Sequence, residues 1–225
     1  MTTQHTLPAD IERTSMQIIR EELARCGRVI PAENEAVVRR VIHTTADFDY
    51  ADNLRFTKDA VAKGVAALAA GTPLVTDTNM ALAGISKPSL ASLGGTASCF
   101  MADPAVAASA KQAGTTRAVA AMHHAAQLYP HAVFAVGNAP TALLALCDLM
   151  QQPEFRPSLI IAVPVGFVNV VESKERIFAV CSEKKIPCIA AMGRKGGSTV
   201  AAAICNALLY TATDRLEPSA RGWQG

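Results

Sequence analysis

Short segments that are apolar throughout alternate with alanine-rich helical segments over most of the chain, and this alternation constrains the fold most strongly. Five strands are predicted, at residues 73–77, 98–101, 132–136, 159–163 and 188–192. Helices are predicted between and after them, near residues 58–70, 104–127, 140–151, 172–185 and 198–210. Strands that are continuously apolar belong in a parallel sheet buried on both faces. The sequence therefore predicts a three-layer, doubly wound α/β fold with a mostly parallel sheet of about five strands and helices on both faces.

The first part of the chain has helical periodicity instead. Apolar residues recur at helical spacing over residues 9–26, and a second helix begins near Pro31 and ends around His43 and Thr44. Because no linker rich in Gly, Pro or Ser divides the chain, residues 1–213 are predicted to form one domain, on which the N-terminal helices within residues 9–44 pack. The polar segment 214–225 is predicted to be a flexible tail, in which Trp223 is the one candidate for docking.

Composition excludes several classes of protein. The net charge is +2 and the basic residues are scattered among acidic ones, which argues against a nucleic-acid partner. No apolar run approaches the roughly 18 residues that span a bilayer, and no signal peptide precedes the first helix, so we expect a cytoplasmic protein without a membrane partner. The six cysteines lie mostly in apolar stretches without a C-x-x-C pair, which predicts core residues rather than disulfides or metal ligands.

The candidate site is predicted from the direction of the strands. Ligands of open parallel sheets bind beyond the carboxyl ends of the strands, where loops gather and helices begin. Four loops follow strands directly, at residues 76–79, 137–141, 165–168 and 193–198. Two of these are glycine-rich turns that lead into helices, and we expect the site to be built largely from them.

The turn at residues 193–198 favours an anionic ligand. It contains Arg194, Lys195, three glycines and Ser198 at the start of an alanine-rich helix, where backbone N–H groups and the helix dipole attract negative charge. The alternative is a glycine-rich turn with two solvated cations. In the turn at residues 137–141, Asn138 and Thr141 either cap the next helix or face a ligand.

His43 is the best candidate for acid–base chemistry, because imidazole has an unperturbed pKa of about 6.5. It is followed by Thr44, Thr45 and Asp47, which are placed to orient it, although a single histidine is often structural. The chain lacks G-x-S-x-G, H-E-x-x-H and G-x-G-x-x-G motifs, so a hydrolytic triad, a bound catalytic metal and a dinucleotide are not predicted. The sequence favours a polyanionic small molecule as ligand and acid–base chemistry without a cofactor.

Five segments, in this order, resemble the precorrin-8X methylmutase family of cobalamin biosynthesis, including its cobalt-precorrin-8 form. They are VIHTTAD at residues 41–47, DTNM at 77–80 with GI at 84–85, GNAPTAL at 137–143, GFV at 166–168 with ESK at 172–174, and GRKGGS at 193–198. The match runs from about Ser15 to Leu209.

The resemblance implies an isomerase that moves a methyl group from C-11 to C-12 of the corrinoid ring. Precorrin-8 would become hydrogenobyrinate, or cobalt-precorrin-8 would become cobyrinate, and the sequence leaves the choice open. His43 corresponds to the family's histidine, which is proposed to protonate or hydrogen-bond a ring nitrogen. No cofactor is implied, and cobalt enters only if the substrate already holds it. The resemblance also implies a homodimer with sites near the interface, and handover of the tetrapyrrole product to other cobalamin-pathway enzymes is a further expectation.

The resemblance assigns the substrate contacts to the same loops. Cationic and glycine-rich positions suit the carboxylate arms, whereas apolar loop residues suit the flat ring. The predicted substrate-binding residues are Ser15, Thr44, Thr45, Asp77, Asn79, Met80, Ile85, Arg117, Gly137, Asn138, Thr141, Gly166, Phe167, Val168, Ser173, Lys174, Arg194, Lys195, Gly196, Gly197 and Ser198. Two alternatives remain open: a corrinoid carrier without catalysis, and an enzyme that binds phosphate esters at the turn 193–198.

Overall fold

The computed structural model describes residues 7–221, so the expectation that Trp223 docks lies outside the described residues. The helices are α1 (Pro8–Arg25), α2 (Glu35–Thr45), α3 (Tyr50–Asn53), α4 (Ala60–Ala69), α5 (Asn79–Gly84), α6 (Lys87–Ser92), α7 (Pro104–Gln112), α8 (Arg117–Leu128), α9 (Pro140–Leu149), α10 (Val170–Lys184) and α11 (Ser198–Ala212). The strands are β1 (Leu54–Phe56), β2 (Leu74–Thr76), β3 (Ala97–Ser98), β4 (Val133–Val136), β5 (Leu159–Ala162) and β6 (Cys188–Ala191). Two short 3₁₀ helices lie at Ala32–Asn34 and Pro218–Arg221.

The strands form one sheet in the order β1-β6-β5-β4-β2-β3. All neighbouring strands are parallel except β1, which pairs antiparallel with β6 and places Leu54 opposite Ala191. The predicted mostly parallel, doubly wound sheet is thus confirmed, with one strand more than expected. Strand β1 was not predicted, because it has only three residues and its central Arg55 is exposed, so it lacks a continuous apolar run.

The sheet is buried on both faces, which explains why its strands are apolar throughout. On β4, the side chains of Val133 and Ala135 join a core formed with α1, α2, α4, α5, α6 and α11. Phe134 and Val136 join a second core formed with α7, α8, α9 and α10. Each core removes one set of alternating side chains from water, which is the main source of stability for such a fold.

The helix predicted over residues 104–127 is two helices. The chain turns at Gly114, whose φ of +61° lies in the left-handed region that favours glycine. The hydroxyl of Thr116 then accepts a hydrogen bond from the N–H of Val119 and caps α8. The segment 79–92 also differs from the prediction: it contains α5 and α6, which are each only six residues long and too short to show helical periodicity.

The segment expected to form a flexible tail is packed in part. Residues Pro218–Arg221 form a 3₁₀ helix, in which Pro218 is buried and the Arg221 side chain is only 7% exposed. This helix contacts α1. Among the described helices, none is both long and apolar enough to cross a membrane.

Candidate active site

The topological switch point of the sheet lies between β2 and β4. The chain leaves β2 for α5 on one face of the sheet and leaves β4 for α9 on the other, which opens a crevice between the two strand ends. Asp77 follows β2 and is buried in this crevice. Its carboxylate accepts hydrogen bonds from the N–H groups of Gly137, Asn138 and Ala139 at 2.8, 2.8 and 2.7 Å. Burial raises the pKa of the Asp77 carboxyl group, and the three N–H groups act in the opposite direction.

This arrangement corrects the prediction for the turn at residues 137–141. The N–H groups at the start of α9 already bind an anion, and that anion is Asp77 of the same chain. Neither Asp77 nor the backbone of Gly137 is therefore available to a ligand in this structure. They hold the ends of β2 and β4 together, and the exposed Asn138 side chain is the part of the turn that faces solvent.

The turn at residues 193–198 is held on its buried side by Lys174. This side chain is completely buried, and its Nζ donates hydrogen bonds to the carbonyls of Gly193 and Lys195 at 2.9 and 2.8 Å. The neighbouring Ser173 is also buried, and its hydroxyl donates to the carbonyl of Val170. The prediction that Ser173 and Lys174 contact the substrate does not hold here, because both side chains are buried: Ser173 bonds within α10 and Lys174 bonds to the turn.

The same turn lies directly on the end of β5. The N–H of Gly197 donates to the carbonyl of Val163 at 2.8 Å. A Cβ atom at Gly196 would lie 2.2 Å from that carbonyl oxygen, far inside van der Waals contact. Gly196 and Gly197 therefore allow the close backbone approach that brings the turn beside the β5 loop.

The start of α11 differs from that of α9 in being open to an anion. No side chain caps its first turn, in contrast to α9, where Asp77 occupies the N–H groups. The Ser198 hydroxyl lies 2.8 Å from the hydroxyl of Thr78, which places the start of α11 beside the β2 loop. Uncapped N–H groups and the helix dipole favour a carboxylate or phosphate at this position.

The two cations of the turn have different surroundings. Lys195 Nζ lies 2.6 Å from carboxylate oxygens of both Asp47 and Asp49. The two hydrogen bonds raise the pKa of Lys195, and the bond with Lys195 lowers the pKa of Asp47. Lys195 thus joins the turn to the end of α2, and its charge is compensated within the protein. Arg194 is exposed, and its guanidinium lies over the Phe167 ring at 5.4 Å from the centroid. Arg194 is therefore the cation that the turn presents to a ligand.

An exposed apolar surface adjoins Arg194. Phe167 and Val168 of the β5 loop are 82% and 77% exposed, and Met80, in the first turn of α5, is 66% exposed. The N–H of Gly166 donates to the Arg194 carbonyl and joins the β5 and β6 loops. Exposed apolar groups of this size next to a cation suit a flat ring with acidic substituents. Ile85 was predicted to belong to this surface, but it is 2% exposed and packs in the core, so that assignment is wrong for this structure.

Arg117 lies on the side of the crevice where α9 begins. It is the first residue of α8 and is exposed, and the preceding Thr116 hydroxyl lies 3.2 Å from the Thr141 hydroxyl at the start of α9. This contact brings Arg117 next to the turn at 137–141. Asn79, at the start of α5, is exposed as well. These side chains are therefore accessible, as the sequence predicts.

His43 lies in the last turn of α2 and is partly buried. Neither ring nitrogen forms a hydrogen bond with another of residues 7–221. Burial, and after it the guanidinium of Arg40, holds the pKa of His43 below its ordinary value of 6.5. Asp47, just beyond the end of α2, contacts Lys195 of the turn at residues 193–198. The helix that carries His43 is therefore anchored to this turn.

Three predicted hydroxyl groups bond to the backbone of their own helices. Ser15 donates to the carbonyl of Ile11, Thr44 to that of Arg40 and Thr45 to that of Val41. Thr45 also accepts a hydrogen bond from the N–H of Asp47 and so stabilises the end of α2. The expectation that Thr44 and Thr45 orient the imidazole through hydrogen bonds is not met in this structure.

The charged residues around His43 were not predicted from the sequence. Glu12 of α1, Arg40 of α2 and Arg221 of the C-terminal 3₁₀ helix face it and act on its pKa. Arg40 lies one helical turn before His43, a spacing that indicates a shared helix face. No local sequence pattern indicates Glu12 or Arg221, because only the tertiary fold brings these two residues close to His43.

The buried Lys174 gives a testable pH dependence. Burial lowers its pKa from 10.5 to about 8. Between these two pH values the unfolded chain therefore holds a proton that the folded chain has lost, so the free energy of unfolding should rise with pH across this window. We expect urea denaturation to show a steeper rise for the wild type than for Lys174→Met. Lys184→Met, on the same helix, serves as the control and should keep the wild-type slope; equal slopes for the wild type and Lys174→Met would contradict the prediction.

The fold and the site define a doubly wound α/β protein that presents a cation, an open helix start and an apolar surface at the carboxyl edge of its sheet. Residues 10–211 match the protein family described as precorrin-8X methylmutase. The chain therefore belongs to the precorrin-8X methylmutase family, and it is an isomerase of this class. The resemblance found in the sequence is confirmed.

Known members of the family are similar to this chain over most of their length. The chain is 44% identical to a cobalt-precorrin-8 methylmutase of Salmonella typhimurium, over 90% of this chain and 95% of that protein. It is 38% identical to a precorrin-8X methylmutase of Pseudomonas aeruginosa, over 91% and 95%. Among solved structures, precorrin-8x methyl mutase from Thermus thermophilus is similar with a TM-score of 0.80 and 38% identity, covering 91% of this chain and 98% of that one.

Proposed function

We propose that this chain moves a methyl group from C-11 to C-12 of precorrin-8 or cobalt-precorrin-8 and so forms hydrogenobyrinate or cobyrinate. The observation that carries the proposal is the family membership over residues 10–211. The site supports it, because an exposed cation, an open helix start and exposed apolar side chains suit a flat ring with several carboxylates. The reaction is an intramolecular transfer and needs no external methyl donor.

Within this proposal, Arg194 and the start of α11 bind carboxylate arms, and the exposed Arg117 binds a further arm. Phe167, Val168 and Met80 contact the face of the ring. Asp77, Ser173, Lys174 and Lys195 act indirectly, because their polar groups bond within the protein and fix the loops. The exposed cations thus bind the carboxylate arms, and the exposed apolar side chains contact the ring.

His43 is the proposed proton donor to a ring nitrogen. Its pKa lies below 6.5 in the free protein, which favours the neutral imidazole at neutral pH. A substrate that brings several carboxylates close to this site raises the pKa of a nearby imidazole, because negative charge stabilises the protonated form. Substrate binding would then supply the electrostatic change that makes His43 an effective acid.

Three further expectations belong to the same proposal. The enzyme carries no cofactor of its own, and cobalt takes part only as a component of the substrate. Two copies form a homodimer with their sites near the interface. The enzyme works in the cytoplasm and passes its product to other cobalamin-pathway enzymes.

Parallel assays with the two substrates test the function. Purified protein is mixed with an excess of precorrin-8 or cobalt-precorrin-8, each labelled with ¹³C in the migrating methyl group, and the label is followed by NMR. We expect many turnovers with at least one substrate and a label that ends on C-12. Stoichiometric binding without conversion would replace the proposal with a corrinoid carrier. Thermal stabilisation by sugar phosphates but not by hydrogenobyrinate or cobyrinate would indicate a phosphate-ester enzyme instead.

A further inference from the structure

The C-terminal 3₁₀ helix closes a cluster of charged residues beside α2. The guanidinium of Arg221 lies 2.5 Å from the Glu12 carboxylate, and the guanidinium of Arg40 lies 2.7 Å from the same carboxylate. Both guanidinium groups also lie over the ring of Tyr210, at 4.5 and 5.3 Å from its centroid. The cluster therefore joins α1, α2, α11 and the end of the described chain.

The members of this cluster are well removed from solvent. The side chains of Arg221, Arg40 and Glu12 are 7%, 12% and 15% exposed. Although burial acts to raise it, the two arginines hold the pKa of Glu12 below its ordinary value, so the group is ionised at neutral pH. Ion pairs that are this buried add little net stability, because removing the charges from water offsets their attraction. A purely stabilising role for the cluster would therefore be served as well by apolar residues.

His43 lies next to this cluster. Arg40 and His43 are three residues apart on α2, which places them on the same face of the helix. The charged groups that act on the imidazole are Arg40 from its own helix, Glu12 from α1 and Arg221 from the C-terminal helix. The two arginines oppose its protonation and Glu12 favours it.

We propose that Arg221 and Glu12 set the charge environment of His43: the C-terminal helix holds Arg221 against Glu12, and the ion pairs of Glu12 with Arg221 and Arg40 keep these three charges beside α2. Glu12 balances two cations, and the Tyr210 ring holds both guanidinium groups in one geometry. A role of the cluster in catalysis rests on the proposed function of His43. The effect of the cluster on the protonation of the imidazole does not depend on that function.

Two variants of opposite sign test the inference without substrate. The titration of His43 is followed by ¹H–¹⁵N NMR of the imidazole, assigned by its absence in His43→Asn. Arg221→Met removes a cation but keeps an unbranched chain on Tyr210, so the pKa of His43 should rise. Glu12→Gln removes the anion, so the pKa of His43 should fall. Arg176→Met, which breaks an ion pair with Asp148 on the other side of the sheet, is the matched control and should change nothing.

The opposite directions separate a charge effect from loosened packing. If the variants merely opened the cluster to water, both would move the pKa of His43 toward 6.5. Shifts in the same direction, or titrations equal to that of the wild type, would overturn the inference. Arg221→Lys, which keeps the charge, should restore most of the wild-type titration.

The kinetic readout links the cluster to turnover. We expect kcat at pH 8 to change by about threefold, upward for Arg221→Met and downward for Glu12→Gln, with KM nearly constant. A change in KM with an unchanged pH profile of kcat would reject a role of the cluster in setting the protonation of His43 during catalysis. Because the titration needs no substrate, it stands even if the proposed methyl transfer is wrong.

Discussion

His43→Asn is expected to lower kcat at least 100-fold with either substrate. A positioned acid or base contributes about 10²- to 10⁴-fold to a proton-transfer step, and asparagine has a similar polarity but does not titrate in this range. Because the imidazole forms no hydrogen bond within the described part of the chain, its loss should shift the unfolding temperature by less than about 2 °C. Steady-state kinetics at saturating substrate and a thermal melt measure the two effects.

His123→Asn is the matched control for this experiment. His123 is an exposed histidine on α8, and its replacement should leave kcat unchanged. A His43→Asn enzyme with kcat within threefold of the wild type would remove His43 from the chemistry. A loss of kcat with a large fall in stability would instead show that His43 supports the packing of α2.

Gly196→Ala should destabilise the protein by about 3 kcal/mol or more. The new Cβ would lie 2.2 Å from the Val163 carbonyl oxygen and 2.7 Å from that of Pro164. Both atoms belong to the backbone at the end of β5, and the Val163 carbonyl already accepts the N–H of Gly197, so neither can move without breaking the contact between the loops. Urea denaturation measures the loss, and substrate binding should weaken because Arg194 moves with the turn.

Gly193→Ala, in the same turn, separates crowding from backbone strain. Gly193 has a φ of +73° and no atom within 4 Å of a Cβ, so its replacement should cost only about 1–2 kcal/mol. Equal losses for the two variants would show that the close approach at Gly196 is not the cause.

The sequence predicted the layers of the fold because burial on both faces leaves a plain mark on the strands. The segments at β4, β5 and β6 are apolar at every position, which is the pattern of strands in a parallel sheet covered on both faces. The edge strand β1 lacks that mark, because only its pairing with β6 makes it a strand. The break at Gly114 was missed because alanine-rich periodicity continues on both sides of it.

Strand direction predicts which loops gather at the candidate site, but the roles of the residues in these loops depend on distant partners. The sequence indicated that Lys195 and the turn at 137–141 attract anions, and in the structure each does so with a carboxylate of the chain itself. Asp47 and Asp77 lie far from these groups in sequence, and local patterns do not show which pairs meet. Lys174 was assigned to the substrate for the same reason, since only the fold shows that its amine lies beneath the turn.

The difference between the starts of α9 and α11 affects how a large ring would bind. A corrinoid carries several similar carboxylate arms around its edge, so charge attraction alone would accept many rotated poses. Asp77 satisfies the start of α9, whereas the start of α11 has no side-chain cap. Under the proposed function, an arm would therefore bind at the start of α11 rather than at the start of α9. Asp77, which occupies the N–H groups before α9, would in this way reduce the number of rotated poses open to the ring.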